Sequence, residues 1–269
     1  MSSGYRVEAL HLGALAPGRA LAALADAFAG ERLELLVRAD AGENLREVER
    51  AAREAGLQPV LRQDTYLGDL RDVGRPATRP FTFRDHRDVG PAGTLTALGA
   101  CWGPAAGPSG KGHAEELEDL LTFAAPGGGE PDDSLWRIAY HDGRLAGVTL
   151  AYCQPASPPL GTLLYLGLAP WARGRGLGRA LHREALWLLR GAGARVYCDA
   201  TDVANAPMRR LLREAGCERV GTSTLYASDG RAPAGRAAHP ATDPARCPGA
   251  PRSLLRVPLR ADGGAAGAC

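Results

Sequence analysis

Apolar positions recur along this chain with two periods, about two residues and about three to four, and these divide it into a regular series of elements. Thr162 to Leu168 is an apolar run that reads as a buried strand ended by Pro170. Ala180, Leu181, Ala185, Leu186, Leu188 and Leu189 then mark one face of a helix over 177–190. Gly191 and Gly193 break it, and 194–199 reads as a strand. Asn205 as cap, Pro207 in the first turn and Gly216 at the end bracket a helix over 206–215, followed by a strand over 217–226. Upstream, Phe81-Thr82-Phe83-Arg84 alternates as a strand, and 88–122 reads as one or two helices interrupted by a loop over 103–112. Trp136 to Tyr140 and Leu145 to Tyr152, joined by Asp142-Gly143, predict a hairpin. Before a Pro-flanked hinge at Gly74 to Pro80, the pattern gives a strand, a helix over 18–29, a strand over 32–38, a helix over 43–55 and a strand over 58–66. Ala227 to Arg252 has no periodicity and is rich in Pro, Ala, Gly and Arg, so 227–252 is expected to be a mobile insertion, with a last strand over 253–259.

Between the strand ending at Leu168 and the helix starting near Leu177 lies Arg173-Gly174-Arg175-Gly176-Leu177-Gly178-Arg179. A strand, a glycine turn and a helix together present main-chain N–H groups to an anion, and the helix N-terminus adds a favourable dipole. The flanking arginines favour a diphosphate. A dinucleotide fingerprint does not fit, because the third residue after Gly176 is Arg179. A Walker loop does not fit either, since no Gly-Lys-Ser/Thr ends the segment. Arg-x-x-Gly-x-Gly, with Arg173, Gly176 and Gly178, does fit.

That register resembles the acyl-CoA pyrophosphate loop of the GNAT acetyltransferase superfamily, including a proline three residues before the arginine. A second segment, Asp199 to Gly216, is similar to the family's next conserved stretch, with Asn205 eleven residues before Gly216. The resemblance implies an α/β fold with a mixed, mainly antiparallel central sheet flanked by helices, and acetyl-CoA as acyl donor. It implies main-chain contacts to the pantetheine arm from Leu166, Gly167 and Leu168. It further implies a pyrophosphate cradle of Arg173, Gly174, Arg175, Gly176, Leu177, Gly178 and Arg179, with Asn205 and Met208 beside the cofactor.

The chain also repeats itself at an offset near 160 residues. Arg53-Glu54-Ala55-Gly56 matches Arg213-Glu214-Ala215-Gly216, Val60 and Tyr66 meet Val220 and Tyr226, and Gly18-Arg19-Ala20-Leu21 matches Gly178-Arg179-Ala180-Leu181. Leu12 to Pro17 echoes Leu166 to Pro170. In the first copy Pro17 runs directly into Gly18, so the arginine-bearing glycine turn is missing. Residues 1–75 are therefore expected to be a half-size, degenerate GNAT-like unit without a CoA site. It would pack on a catalytic domain over 76–269.

Composition narrows the partners. In 269 residues the formal net charge is +2 with both signs intermixed, which gives no reason to expect nucleic acid. Lys111 is the single lysine among many arginines. No run of 18 apolar residues occurs, so no membrane partner is expected. Six cysteines without Cys-x-x-Cys pairs read as reduced thiols in a cytoplasmic protein, and six scattered histidines give no metal spacing, so no metal is expected. The chain is expected to be a monomer or a homodimer.

Catalytic groups are harder to read. GNAT enzymes often carry a Glu on the central strand as base and a Tyr seven residues after the Asn as acid. Here those places hold Thr162-Leu163-Leu164-Tyr165 and Leu212. Tyr165 and Asp202 lie near the expected slot, yet Tyr165 also suits a half-buried strand position and Asp202 a turn. Gly107 to Gly112 superficially resembles a phosphate loop, but no strand leads into it. Glu115, Glu116, Glu118 and Asp119 form an acidic run that either attracts an amine or is the solvated face of a helix. The expected activity is acetyl transfer from acetyl-CoA to a small-molecule primary amine by direct attack. The alternative is a non-catalytic acyl-CoA-binding accessory or sensor protein.

Overall fold

The computed structural model describes residues 4–11, 32–40, 45–54, 56–102, 112–125, 132–154, 159–227 and 256–258. Ten strands form one sheet: β1 (Gly4–His11), β2 (Arg32–Asp40), β3 (Gln58–Asp69), β4 (Thr82–Asp85), β5 (Trp136–His141), β6 (Arg144–Gln154), β7 (Leu160–Leu168), β8 (Val196–Asp202), β9 (Glu218–Ala227) and β10 (Arg256–Pro258). Their spatial order is β10-β1-β2-β9-β3-β8-β7-β6-β5-β4. The pairs β1·β2 and β7·β8 are parallel and every other pair is antiparallel. Five helices are described: α1 (Leu45–Glu54), α2 (His86–Trp102), α3 (His113–Phe123), α4 (Leu177–Gly191) and α5 (Ala206–Glu214). The expected helix over 18–29, the loop residues 103–111 and the insertion from 228 to 252 lie outside the described residues.

Local chemistry accounts for most elements. The β5–β6 hairpin turns on Asp142 and Gly143, both at positive φ (52° and 74°), the backbone a two-residue hairpin requires for its twist to match the strands. At Gly90, φ is 68°, and Pro91 follows without an N–H, so α2 is bent near its start. The helix α4 buries Leu177 and Leu181 against Ala139 and Ala146, and Ala185, Leu186 and Leu189 against Ala151, Leu163 and Tyr197. On the opposite sheet face, Leu98, Leu117 and Leu120 of α2 and α3 cover Trp136, Ile138, Val148, Leu150 and Leu164. Each apolar stripe faces the sheet, and at roughly 1.5–3 kcal/mol per buried large side chain this packing holds the three layers together.

The strands from the first seventy residues join the same sheet. β3 lies between β8 and β9, pairing Gln63 with Asp202 through to Asp69 with Val196 on one edge. Its other edge runs from Gln58 opposite Ala227 to Leu67 opposite Glu218. β9 in turn pairs with β2, from Glu34 opposite Ala227 to Asp40 opposite Gly221. Gln63 sits opposite Ser223, 160 positions later. The neighbouring pairs Arg62–Thr224 and Asp64–Thr222 exchange places when each residue number is shifted by 160.

The two parallel pairs differ. β1 and β2 are matched from Gly4–Arg32 to His11–Arg38. β7 and β8 are matched only at Leu160–Val196 and Gly161–Tyr197. Beyond Gly161 the sheet forks, and one edge of β7 from Thr162 to Leu168 is left without a strand partner.

Candidate active site

The fork opens toward the glycine turn. After β7, Pro170–Ala172 makes one turn of 3-10 helix. Trp171 anchors it: the indole N–H donates to the Leu145 carbonyl at 2.9 Å, the ring stacks on His141, and the Arg144 guanidinium lies 4.5 Å over it. Gly174 and Gly176 follow at φ 72° and 76°, and a Cβ at either would meet open space. The glycine requirement there is conformational, since an L side chain is strained in that region.

This backbone leaves donors in a row. The Arg173 and Arg179 N–H groups go to the Pro170 and Gly176 carbonyls at 3.3 and 3.2 Å. Between them, the N–H groups of Gly174, Arg175, Gly176, Leu177 and Gly178 take no acceptor among the described residues. Consecutive free amides at the start of a fifteen-residue helix form an anion cradle.

The three arginines divide their roles. Arg173 donates through Nε to the Leu168 carbonyl at 3.0 Å and through Nη2 to the Cys101 carbonyl at 2.7 Å. It braces the turn against the end of β7 and the end of α2. Arg179 pairs with Glu214 at 2.8 Å, joining the start of α4 to the end of α5. Arg210 shares that carboxylate, and both hydrogen bonds hold Glu214 below the usual carboxylate range. Arg175 is exposed and its guanidinium takes no partner among the described residues, so it is the cation left to meet an anion.

The remaining candidates fall on both walls of the fork. Leu166 and Leu168 are half-buried against the core under α4, and Gly167 faces the other way. A Cβ on Gly167 would come within 2.0 Å of the Tyr165 hydroxyl, so that phenol lies directly over the Gly167 Cα. The Tyr165 ring also meets Trp102 edge-on at 5.3 Å, and Trp102 packs on His113. Burial holds the phenol proton far above its ordinary pKa, and it pushes the neighbouring Cys101 thiol up to about 12. Neither group is a base or a nucleophile near neutral pH. Thr162, the first residue past the fork, is fully buried with its hydroxyl unpartnered. Asn205 caps α5, its Oδ1 accepting from Met208 N at 3.2 Å, and Met208 packs against the core beneath. Asp202 takes the turn role: Oδ1 accepts from Ala204 N at 2.6 Å and its carbonyl from Asn205 N at 2.9 Å. Leu212 is wholly buried.

Two relationships had no signal in the sequence. One is the Arg173–Cys101 brace across 72 positions. The other is a buried polar chain beside the fork. Tyr197 donates to Asp199 Oδ2 at 2.6 Å, and the His182 Nε2 of α4 lies 3.4 Å from the same hydroxyl. Among the described residues, no three His, Cys, Asp or Glu side chains are grouped to hold a metal, and no helix is long and apolar enough to cross a membrane.

The segment containing this site matches the Acetyltransferase (GNAT) family model over residues 102–217. Residues 102–217 thus resemble a GNAT-family acetyltransferase domain. A mycothiol acetyltransferase of Thermomonospora curvata is 34% identical over 114 residues, 42% of this chain and 36% of that protein. The chain thus spans little more than a third of the curated relatives it matches. A GCN5-related N-acetyltransferase from Sphaerobacter thermophilus superposes with a TM-score of 0.51 at 20% identity, covering 73% of this chain and 59% of that one. A tandem GNAT protein from the clavulanic acid biosynthesis pathway gives 0.53 at 18% identity, covering 84% and 75%. The layered sheet described above is the GNAT fold. Within it the glycine cradle, the fork and the Asn205 cap all fall inside the matched residues.

Proposed function

We propose that this chain transfers an acetyl group from acetyl-CoA to a primary amine of a small molecule. The observation that carries the reading is the fork between β7 and β8 leading directly into the free amides of Gly174 to Gly178. Bound acetyl-CoA supplies an activated acyl group on a thiol leaving group. The cradle amides and Arg175 bind the diphosphate, and the open edge of β7 at Leu166 to Leu168 offers main-chain groups that orient the pantetheine as an added strand would. Held at both ends, the acyl group is positioned for direct attack, and positioning contributes a large share of the rate. No carboxylate stands on β7, and Tyr165 and Cys101 keep their protons. The amine therefore loses its proton to solvent, and turnover rises with pH up to the pKa of the amine.

A second reading, acyl-CoA binding without turnover, is favoured by the buried Leu212 and by the carboxylate-free stretch Thr162 to Tyr165, where the family often carries acid and base. Release of thiol with any amine removes it.

The internal match at 160 residues and the mirror register about Gln63 and Ser223 support a further part of the proposal. Residues 1–75 derive from a copy of the segment 160–227, and β1 and β2 stayed paired where β7 and β8 fork. One CoA site per chain is expected.

Calorimetric titration with CoA and acetyl-CoA tests all of this. Binding at one equivalent per chain, lost in Arg175→Glu, is the expected result. No binding by folded protein overturns the reading, and two equivalents overturn the assignment of the first copy.

A further inference from the structure

Beside α5, a cleft of about 460 Å³ is lined by Tyr66, Ala206, Arg209, Arg213 and Arg219. We propose that this cleft binds a phosphate-bearing small molecule. Three guanidiniums and a phenol line it, and no carboxylate does.

The cations are oriented from behind. The buried Asp64 lies beneath them, 3.2 Å from Arg209 Nη2 and 3.6 Å from Arg219 Nη1, and accepts from the Thr222 hydroxyl at 2.9 Å. Arg209 also donates to the Val203 carbonyl at 3.0 Å and to the Tyr66 hydroxyl at 3.4 Å. Arg219 donates to Thr222 Oγ1 at 3.0 Å. Arg213 uses only Nε, toward the Arg209 carbonyl at 3.3 Å, and its two terminal nitrogens take no partner among the described residues. One carboxylate against three guanidiniums leaves an excess of two positive charges.

Tyr66 supplies a second, independent indication. Tyr66 is only 2% exposed yet lines the cleft, and its hydroxyl accepts from Arg209, which lines it too. Its own proton finds no acceptor among the described residues. A buried hydroxyl with an unused donor beside pre-oriented guanidiniums is what a doubly charged oxyanion recognises, since each of its oxygens accepts more than one hydrogen bond. The phosphate has two possible sources: a separate phosphorylated metabolite, or a phosphate of CoA reaching past α5.

Inorganic pyrophosphate is the first probe, titrated at low ionic strength into a Gly176→Asp variant whose glycine cradle repels anions. Binding there, weakened about tenfold or more by adding Arg213→Glu, is expected. Arg213 is exposed with one internal hydrogen bond, so unchanged thermal melting checks that the double variant is folded. Absence of pyrophosphate binding to Gly176→Asp overturns the proposal, and so does binding that Arg213→Glu leaves intact. Neither outcome bears on whether CoA uses the glycine cradle, which the wild-type CoA titration decides separately. CoA and 3′-dephospho-CoA then separate the sources. If Arg213→Glu lowers the affinity for CoA but not for 3′-dephospho-CoA, the cleft takes the cofactor's own phosphate. If it lowers neither, a separate phosphorylated ligand is assigned.

Discussion

The Arg173 guanidinium donates a 2.7 Å hydrogen bond to the Cys101 carbonyl, joining the turn after β7 to the last residues of α2. The same side chain reaches the Leu168 carbonyl, so one planar fork spans two main-chain acceptors. A lysine is a single point charge on a flexible stem and does not span both. Arg173→Lys is therefore expected to destabilise nearly as much as Arg173→Ala, by roughly 1–3 kcal/mol for charge-assisted hydrogen bonds. Chemical denaturation of the two variants checks this. A lysine variant as stable as wild type would show that charge alone suffices.

Arg175 should behave in the opposite way. It has no partner to lose among the described residues, so Arg175→Glu is expected to leave the melting temperature unchanged while weakening CoA about tenfold or more. Arg179→Ala breaks the pair with Glu214 and should affect both properties modestly. Calorimetry and a thermal melt on each variant separate the braces from the ligand-facing cation.

Gly167 and Tyr165 are sterically coupled. A methyl group at 167 meets the phenol oxygen and, at 2.5 and 2.8 Å, two ring carbons, so Gly167→Ala must displace a half-buried ring. A cost of about 1–3 kcal/mol is expected from overpacking. In the Tyr165→Ala background the same change should cost far less, and a double-mutant cycle measures the difference. Additive costs would mean that the ring moves aside freely.

Between about pH 4 and 6.5, folding is expected to release a proton from His182 and to take one up at Asp199. Burial lowers the His182 pKa to about 4 and raises that of Asp199 to about 7, although the hydrogen bonds from Tyr197 and the Ala200 amide oppose the rise. Asp199 alone makes stability fall as pH rises from about 4 to about 7, because the unfolded carboxyl gives up a proton that the folded one keeps. His182 alone makes stability fall as pH drops from about 6.5 to about 4, because the unfolded imidazole gains a proton that the folded one refuses. Between about pH 4 and 6.5 the two slopes oppose each other. The pair should contribute little net pH dependence in the wild type. Asp199→Asn should expose a stability that rises with pH over that window, and His182→Gln one that falls. Denaturation midpoints of both variants at pH 4.5 and 6.5 test the sign, and parallel profiles would refute these opposed shifts.

Much of this molecule was legible along the chain. The apolar periods place β5 to β9, α4 and α5 within a few residues, because each of those elements buries one face and its caps and turns are local. The β5–β6 turn, the helix cap at Asn205 and the glycine cradle depend on neighbours only a few positions apart, so residue type and spacing suffice to read them. Tertiary structure decided the rest. Periodicity describes which face of a strand is buried but not which strand lies beside it. The placement of β3 between β8 and β9 therefore rests on main-chain pairing between residues up to about 170 positions apart. Tertiary contacts explain the other surprises too. Arg173 and Arg179 read from the sequence as cations beside an anion, and only the fold shows that they also brace Cys101 and Glu214. Asp199 looks like any strand-end carboxylate until Tyr197, itself beside His182, donates to it in the core. Arg209, Arg213 and Arg219 look like ordinary surface charge until the sheet brings Asp64 and Tyr66 beneath them. A side chain's type and local setting are written in the sequence, but its protonation, its partners and the charges left over for a ligand depend on what the fold packs against it.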